Sequence, residues 1–237
     1  MVKYYIGDSM KTEFTNLLKN LDIELSDEQY NQFQTYYRLL VEWNDKINLT
    51  AITDERDVFM KHFYDSICLI KGVKLHNQSL LDVGSGAGFP SIPLKIIYPD
   101  LKITIIDALN KRIKFLQILV NDLNIDAELI HGRAEDYMRK HCFDLVTARA
   151  VANLNMLSEL CIPFAKIDGL FIAMKGPKLV EELETSNTAI EVLGGKVVED
   201  IMYSIENQER HLLVVQKIRK TEKKYPRKFS NIKKNPL

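Results

Sequence analysis

The run Leu81-Asp82-Val83-Gly84-Ser85-Gly86-Ala87-Gly88-Phe89-Pro90 sets three alternate glycines between an apolar stretch and a helical one. Glycine permits backbone dihedrals and close approaches that a Cβ would block, so Gly84, Gly86 and Gly88 can cradle a nucleotide. Pro90 and Pro93 fall in the first turn of the following helix, where a missing N–H costs no internal hydrogen bond. The dinucleotide fingerprint GxGxxG wants its third glycine one residue later, where Phe89 stands. GxGxG after an acidic strand end is instead the S-adenosylmethionine pattern, for a ligand that brings no pyrophosphate to the helix N-terminus.

The next candidate is Asp107, at the end of the second apolar run. A carboxylate at that strand tip can accept hydrogen bonds from both ribose hydroxyls of an adenosine ligand. His131-Gly132-Arg133-Ala134-Glu135-Asp136 follows a third run, where Ala134 offers backbone contact to adenine and Glu135 a side-chain acceptor. Alternatively, Glu135 only favours a helix start. Arg149 ends a fourth run, where the reactive part of the ligand should emerge, and either orients an acceptor or pairs with a ligand carboxylate. Lys175, ending a fifth, is a second candidate for substrate contact. His62 and Asp65, at i and i+3, suit a hydrogen-bonded pair with a supporting role. No metal is expected, since His76, His131, His141 and His211 lack ligand spacing. Cys68, Cys142 and Cys161 contain no CxxC and read as free thiols.

These side chains need a scaffold, and the pattern supplies one. Phe14, Leu17, Leu18 and Leu21 recur at helical spacing. A second helix starts at the capping box Ser26 to Gln29 and carries Tyr30, Phe33, Tyr37, Leu40 and Val41. A third, from Thr53 or Asp54, shows Phe59, Phe63, Ile67 and Ile70 on one face. From Ser79 the runs SLLDVG, KITIID, AELIHG, FDLVTAR and GLFIAMKG alternate with helical patterns, which predicts a parallel sheet with right-handed crossovers. KVVEDIMYSI and RHLLVVQKI, joined by a short link, close it as an antiparallel hairpin. The fold class is α/β: a doubly wound, mostly parallel, seven-stranded methyltransferase (Rossmann-like) sheet with an N-terminal helical extension. Three segments follow: extension 1–72, core 73–218 and basic tail 219–237.

The 237 residues carry equal numbers of acids and bases, but the zero net charge hides an asymmetry. From Arg219 onward eight basic residues face the single acid Glu222. Such a tail reads either as a phosphate-binding arm or as a solvated, frayed terminus. A hydrophobic content of 46% with 27% charged residues excludes a disordered or collagen-like chain. No apolar stretch approaches a membrane span and no signal h-region is present, so a cytoplasmic protein with no membrane partner is expected.

Beyond the glycine loop, the chain carries Trp43-Asn44, Asn48-Leu49-Thr50-Ala51-Ile52-Thr53, Lys61-His62 with Asp65-Ser66, and Asp107 with Lys111-Arg112. Gly132-Arg133-Ala134-Glu135, Ala148-Arg149-Ala150 and Met174-Lys175-Gly176 follow. Over nearly its whole length it thereby resembles the RsmG (glucose-inhibited division protein B) family, small-subunit ribosomal RNA guanine-N7 methyltransferases. The resemblance implies S-adenosylmethionine as cofactor, small-subunit rRNA or the 30S subunit as partner, and cofactor-site positions at Gly84, Phe89, Ala134, Glu135 and Arg149. Ala108 stands where relatives often carry serine, so a hydroxyl contact beside Asp107 is missing.

The residues agree about the acceptor. Exocyclic amine methylation commonly uses Asn or Asp before Pro-Pro-aromatic after the fourth strand, where this chain reads Thr147-Ala148-Arg149-Ala150. Pyrimidine C5 methylation needs a cysteine nucleophile after proline, and no proline here precedes cysteine. Guanine N7 has a free lone pair at neutral pH and needs alignment only. The expected activity is transfer of a methyl group to guanine N7 of 16S rRNA by a monomer. The rivals are a small-molecule methyltransferase of the same fold and a non-catalytic ribosome- or RNA-binding protein.

Overall fold

The computed structural model describes residues 4–237, so residues 1–3 of the expected extension lie outside the described residues. Helix α1 (Tyr4–Lys19) precedes α2 (Asp27–Ile47). Ser26 starts α2 as expected: its hydroxyl accepts the Gln29 amide at 3.1 Å, and the Gln29 side chain takes the Ser26 amide at 3.0 Å. The aromatic stripe is core. Phe14 meets Phe33 and Phe59 edge-on at 5.1 and 5.0 Å, and Tyr30 and Tyr36 are buried, which leaves neither free to stack on a base.

The third helix departs from simple α geometry. Capped by Asp54, α3 (Glu55–Val58) widens into a π-helical turn over Phe59–Tyr64, returns to α4 (Asp65–Ile67) and tightens into a 3₁₀ turn over Cys68–Lys71. A π turn rotates the side chains after it relative to a regular helix. His62 and Asp65 straddle that rotation and do not bond each other: His62 Nε2 lies 2.7 Å from the Thr50 hydroxyl, and Asp65 turns to Arg149 and Tyr203.

The seven strands are β1 (Ser79–Val83), β2 (Lys102–Asp107), β3 (Glu128–His131), β4 (Phe143–Arg149), β5 (Ala165–Lys175), β6 (Gly195–Ile205) and β7 (Gln208–Lys217). They stand in the order β3-β2-β1-β4-β5-β7-β6. The first five run parallel and β7 is antiparallel to both neighbours, the expected hairpin closure. The order reverses between β1 and β4, opening a crevice at their carboxyl ends. Helices α5 (Ser91–Ile97) and α6 (Asn110–Asp122) share one apolar cluster with the N-terminal helices, whereas α7 (Leu154–Cys161) and α8 (Leu179–Val192) cover the other face.

The tail folds back onto that second face rather than fraying. Tyr225 and Ile232, the latter in α9 (Phe229–Lys234), are buried. Arg227 grips the fully buried Glu159 of α7 through both carboxylate oxygens. A buried carboxylate must be paired, so Glu159, the one charged residue in the stretch LNMLSELC, demands such a partner.

Candidate functional site

The glycine loop leaves β1 at the crevice. Gly84, Gly86 and Gly88 all have positive φ, at 73°, 63° and 100°. A Cβ on Gly88 would press on Ile92, the Tyr36 hydroxyl and Leu116 at 2.8 to 3.0 Å, and one on Gly84 would meet Val151 at 3.0 Å. A Cβ on Gly86 would meet nothing within 4 Å, so the loop is open to space on that side. Two of the three glycines thus serve packing, and Gly86 leaves the loop open on one side.

Asp107, 1% exposed, closes the far side of the loop. Its carboxylate accepts from the Gly86 amide at 3.1 Å, the Leu109 amide at 2.8 Å and Arg112 at 3.3 Å. It therefore holds the loop in shape, and a ribose hydroxyl would take the weakest of these places, that of Arg112. Asp82, beneath the loop, is fully buried, with Oδ2 on the Ser91 amide and Oδ1 without a hydrogen-bond partner. Burial pushes its carboxyl up to about 7, against the pull of Ser91 and Arg149. Ser85, in the loop itself, has a buried hydroxyl without a partner. An open side at Gly86, a carboxylate at the β2 tip and unpaired buried oxygens in and beneath the loop suit a polar adenosine ligand with a cationic end, as S-adenosylmethionine is.

Ala134 is buried in a 3₁₀ turn over Ala134–Asp136, and Glu135 has an unexpected partner there: its Oε1 accepts the Phe229 amide of the tail at 3.2 Å. Lys228 pairs with Asp136 at 2.7 Å, and the Arg133 guanidinium lies 5.6 Å from the Phe229 ring centre. The tail thus braces the loop after β3.

Phe89, 5% exposed, is the hub between the loop and the extension. It stacks on Tyr36 at 5.4 Å and on His62 at 4.7 Å, and the Arg149 guanidinium lies over its ring at 4.7 Å. Tyr36 also donates to the Ala87 carbonyl. Arg149 is held from the extension: Nη1 binds Asp65 at 3.0 Å, and Nη2 reaches His62 Nδ1 at 3.4 Å. Burial and the Arg149 charge push the His62 ring down to about 3, so it is neutral. With Nδ1 accepting from Arg149, its proton sits on Nε2 toward Thr50, and the ring is not poised as a general base.

Beside this hub a cleft of about 690 Å³ opens at the ends of β4 and β5. The extension lines it with Lys61 and Asp65, the strand ends with Arg149 and Lys175, and the β6–β7 hairpin with Tyr203 and Arg210. Lys175 pairs with Glu182 of α8 at 2.6 Å. The structure brings Arg149 and Lys175 into this one cleft, whereas Asp107, Ala134 and Glu135 face the other end of the crevice. Glu182, Tyr203 and Arg210 were not legible as site residues. No motif marks them, and only pairing across the fold brings them to Arg149.

A family model described as rRNA small subunit methyltransferase G matches residues 29–213. Ribosomal RNA small subunit methyltransferase G of Lactococcus lactis subsp. lactis (strain IL1403) is 50% identical over 95% of this chain and 98% of its own length. The protein of the same name from Staphylococcus saprophyticus is 52% identical over 94% and 96%. Among solved structures, a Pyrococcus furiosus methyltransferase superposes with a TM-score of 0.57 at 15% identity, covering 66% of this chain and 83% of its own. A SAM dependent methyltransferase from Aquifex aeolicus reaches 0.52 at 17%, covering 67% and 93%. These two share the fold, and the sequence matches, running almost end to end, show the kinship: the chain belongs to the GidB family of rRNA small subunit methyltransferases G.

Proposed function

We propose that this S-adenosylmethionine-dependent methyltransferase transfers a methyl group to N7 of one guanine in small-subunit (16S) ribosomal RNA. The observation that carries the reading is the cleft itself: it is lined by Lys61, Arg149, Lys175, Lys178 and Arg210, and it shares Arg149 with the hub at the glycine loop. Five cations against the two acids Asp65 and Glu182 in its lining favour a phosphate-bearing acceptor, and the volume suits a single extruded nucleotide. The bound cofactor supplies an electrophilic sulfonium methyl. Around it, Gly86 admits the ligand to the backbone while Gly84 and Gly88 let the loop that carries it pack, Asp107 receives the ribose, and Ala134 and Glu135 border the adenine. Phe89 and Asp65 fix Arg149 at the boundary between cofactor and acceptor.

Guanine N7 attacks with its own lone pair, which matches a site where His62 is neutral with both nitrogens engaged and Asp65 is committed to Arg149 and Tyr203. Rate enhancement then comes from alignment, which can supply roughly 7 to 11 kcal/mol. In this reading 1–72 holds Arg149, 73–218 carries the sheet and site, and 219–237 braces the adenine side. The protein acts as a cytoplasmic monomer, without metal, on rRNA or the 30S subunit. Purified protein incubated with labelled S-adenosylmethionine and small subunits should label rRNA that then cleaves at a single guanine under conditions selective for N7-methylated bases. Label retained without such cleavage would assign the methyl to another atom.

A further inference from the structure

The unassigned feature of the cleft is the charge pair at its β5 side. Lys175 Nζ donates to the Ala152 carbonyl at 3.1 Å and contacts Glu182 Oε2 at 2.6 Å. Glu182 Oε2 also accepts the Leu154 amide at 2.6 Å, which caps α7. An ammonium has three donors and a carboxylate two oxygens. One Lys175 N–H and Glu182 Oε1 therefore remain without a protein partner among the described residues, side by side on a pair whose side chains are only 10% and 20% exposed.

A donor next to an acceptor is the complement of one purine edge. Guanine presents O6, an acceptor, beside N1–H, a donor; adenine presents the reverse, an amine beside a bare N1. We infer that Glu182 is a specificity-determining residue: with Lys175 it reads the O6/N1–H edge of the target guanine and rejects adenine. The inference rests on the guanine-N7 reading above and deepens it. N7 lies on the far side of O6 from N1, so a base held this way leaves N7 free of the Lys175–Glu182 pair. Arg149 and Met174, the latter adjacent to Lys175, pair across β4 and β5, which places this edge reader beside the hub at Phe89. Adenine N7 also has a lone pair, so a pocket that only aligned N7 would not distinguish the two bases.

The test measures labelled methyl transfer to small subunits carrying guanine, inosine or adenine at the methylated position. Inosine keeps O6 and N1–H and lacks only the 2-amine. The wild-type protein should methylate inosine within about tenfold of guanine and adenine at least about 100-fold more slowly, since a site built to bind a polar edge is left unpaired by the wrong one. In Glu182→Gln the new carbonyl keeps the Leu154 and Lys175 contacts while its amide faces guanine N1–H, donor against donor. Transfer to guanine should fall about 100-fold and the guanine-to-adenine ratio should collapse, with cofactor affinity unchanged and the thermal midpoint lowered as for any enclosed pair that loses one charge. Adenine methylated by the wild type within tenfold of guanine would overturn the inference, as would a Glu182→Gln protein that keeps rate and ratio. The wild-type comparison decides even where the variant does not fold. No transfer to guanine at all would remove the functional reading together with this one, whereas transfer without discrimination removes only this one.

Discussion

Asp65→Asn tests the contact through which the N-terminal helices hold Arg149. The pair is enclosed, with side chains 7% and 15% exposed and a separation of 3.0 Å. Asp65 also accepts from the Tyr203 hydroxyl at 2.9 Å and lies 3.8 Å from Arg210. Breaking a buried pair by neutralising one partner usually costs about 3–5 kcal/mol, because the remaining charge stays desolvated. Asparagine keeps a carbonyl for Arg149 while its amide can donate to the Tyr203 hydroxyl, and the Phe89 face still supports the guanidinium, which sets the expectation at the lower end, about 3 kcal/mol. At roughly 2–4 °C per kcal/mol for a chain of this size, the thermal midpoint should fall by about 6–12 °C. Urea unfolding of the wild type, Asp65→Asn, Arg149→Met and the double variant gives the coupling directly. The double variant should recover part of the loss. Methyl transfer should drop in Asp65→Asn even where the protein is fully folded, because Arg149 is no longer aimed. A loss below about 1 kcal/mol, the value of an exposed pair, would refute the claim that Asp65 is the anchor of Arg149.

Gly86→Ala should fold with a backbone penalty of about 1–2 kcal/mol for its positive φ and lose cofactor affinity by calorimetry, whereas Gly88→Ala should lose stability first because its Cβ has no room. Asp82, whose carboxyl is raised to about 7 from 3.8, binds its proton more tightly folded than unfolded. Its contribution to stability is therefore full below pH 4 and lost as pH rises through 7. His62, lowered to about 3, slopes the opposite way between pH 3 and 6.5, so the difference between wild type and Asp82→Asn isolates the Asp82 part, a few kcal/mol across pH 4–7. Truncation after Ile218 should destabilise the fold by at least about 3–5 kcal/mol, since Glu159 is left buried without Arg227. Replacing Lys220, Lys223, Lys233 and Lys234 by glutamine should spare the fold and lower the salt slope of RNA binding by roughly 0.7–0.9 per lost phosphate contact.

The sheet was legible because each core strand is a short apolar run bounded by breakers, and because a parallel sheet needs that pattern on both faces. The glycine loop and Asp107 were legible for a related reason: their roles are fixed by backbone position at a strand end. Three features were not. The π turn at Phe59–Tyr64 leaves the apolar spacing intact, so the mismatch between His62 and Asp65 cannot be read from i and i+3. The partners of Arg149 and Lys175 lie on elements that meet only in three dimensions, with Asp65 84 positions away along the chain. The ordered tail did leave a signal in Glu159, a lone acid in a mostly apolar helix, but the acid does not say which cation answers it.

In the proposed reading the cleft beside the glycine loop delivers one guanine N7 to the cofactor. Small-subunit rRNA from cells with and without the gene, cleaved selectively at N7-methylated guanines and read by primer extension, tests it most directly. A single cleavage site present only with the gene, and restored by the wild type but not by Arg149→Ala, is the predicted result. Identical cleavage patterns in the two strains would contradict it.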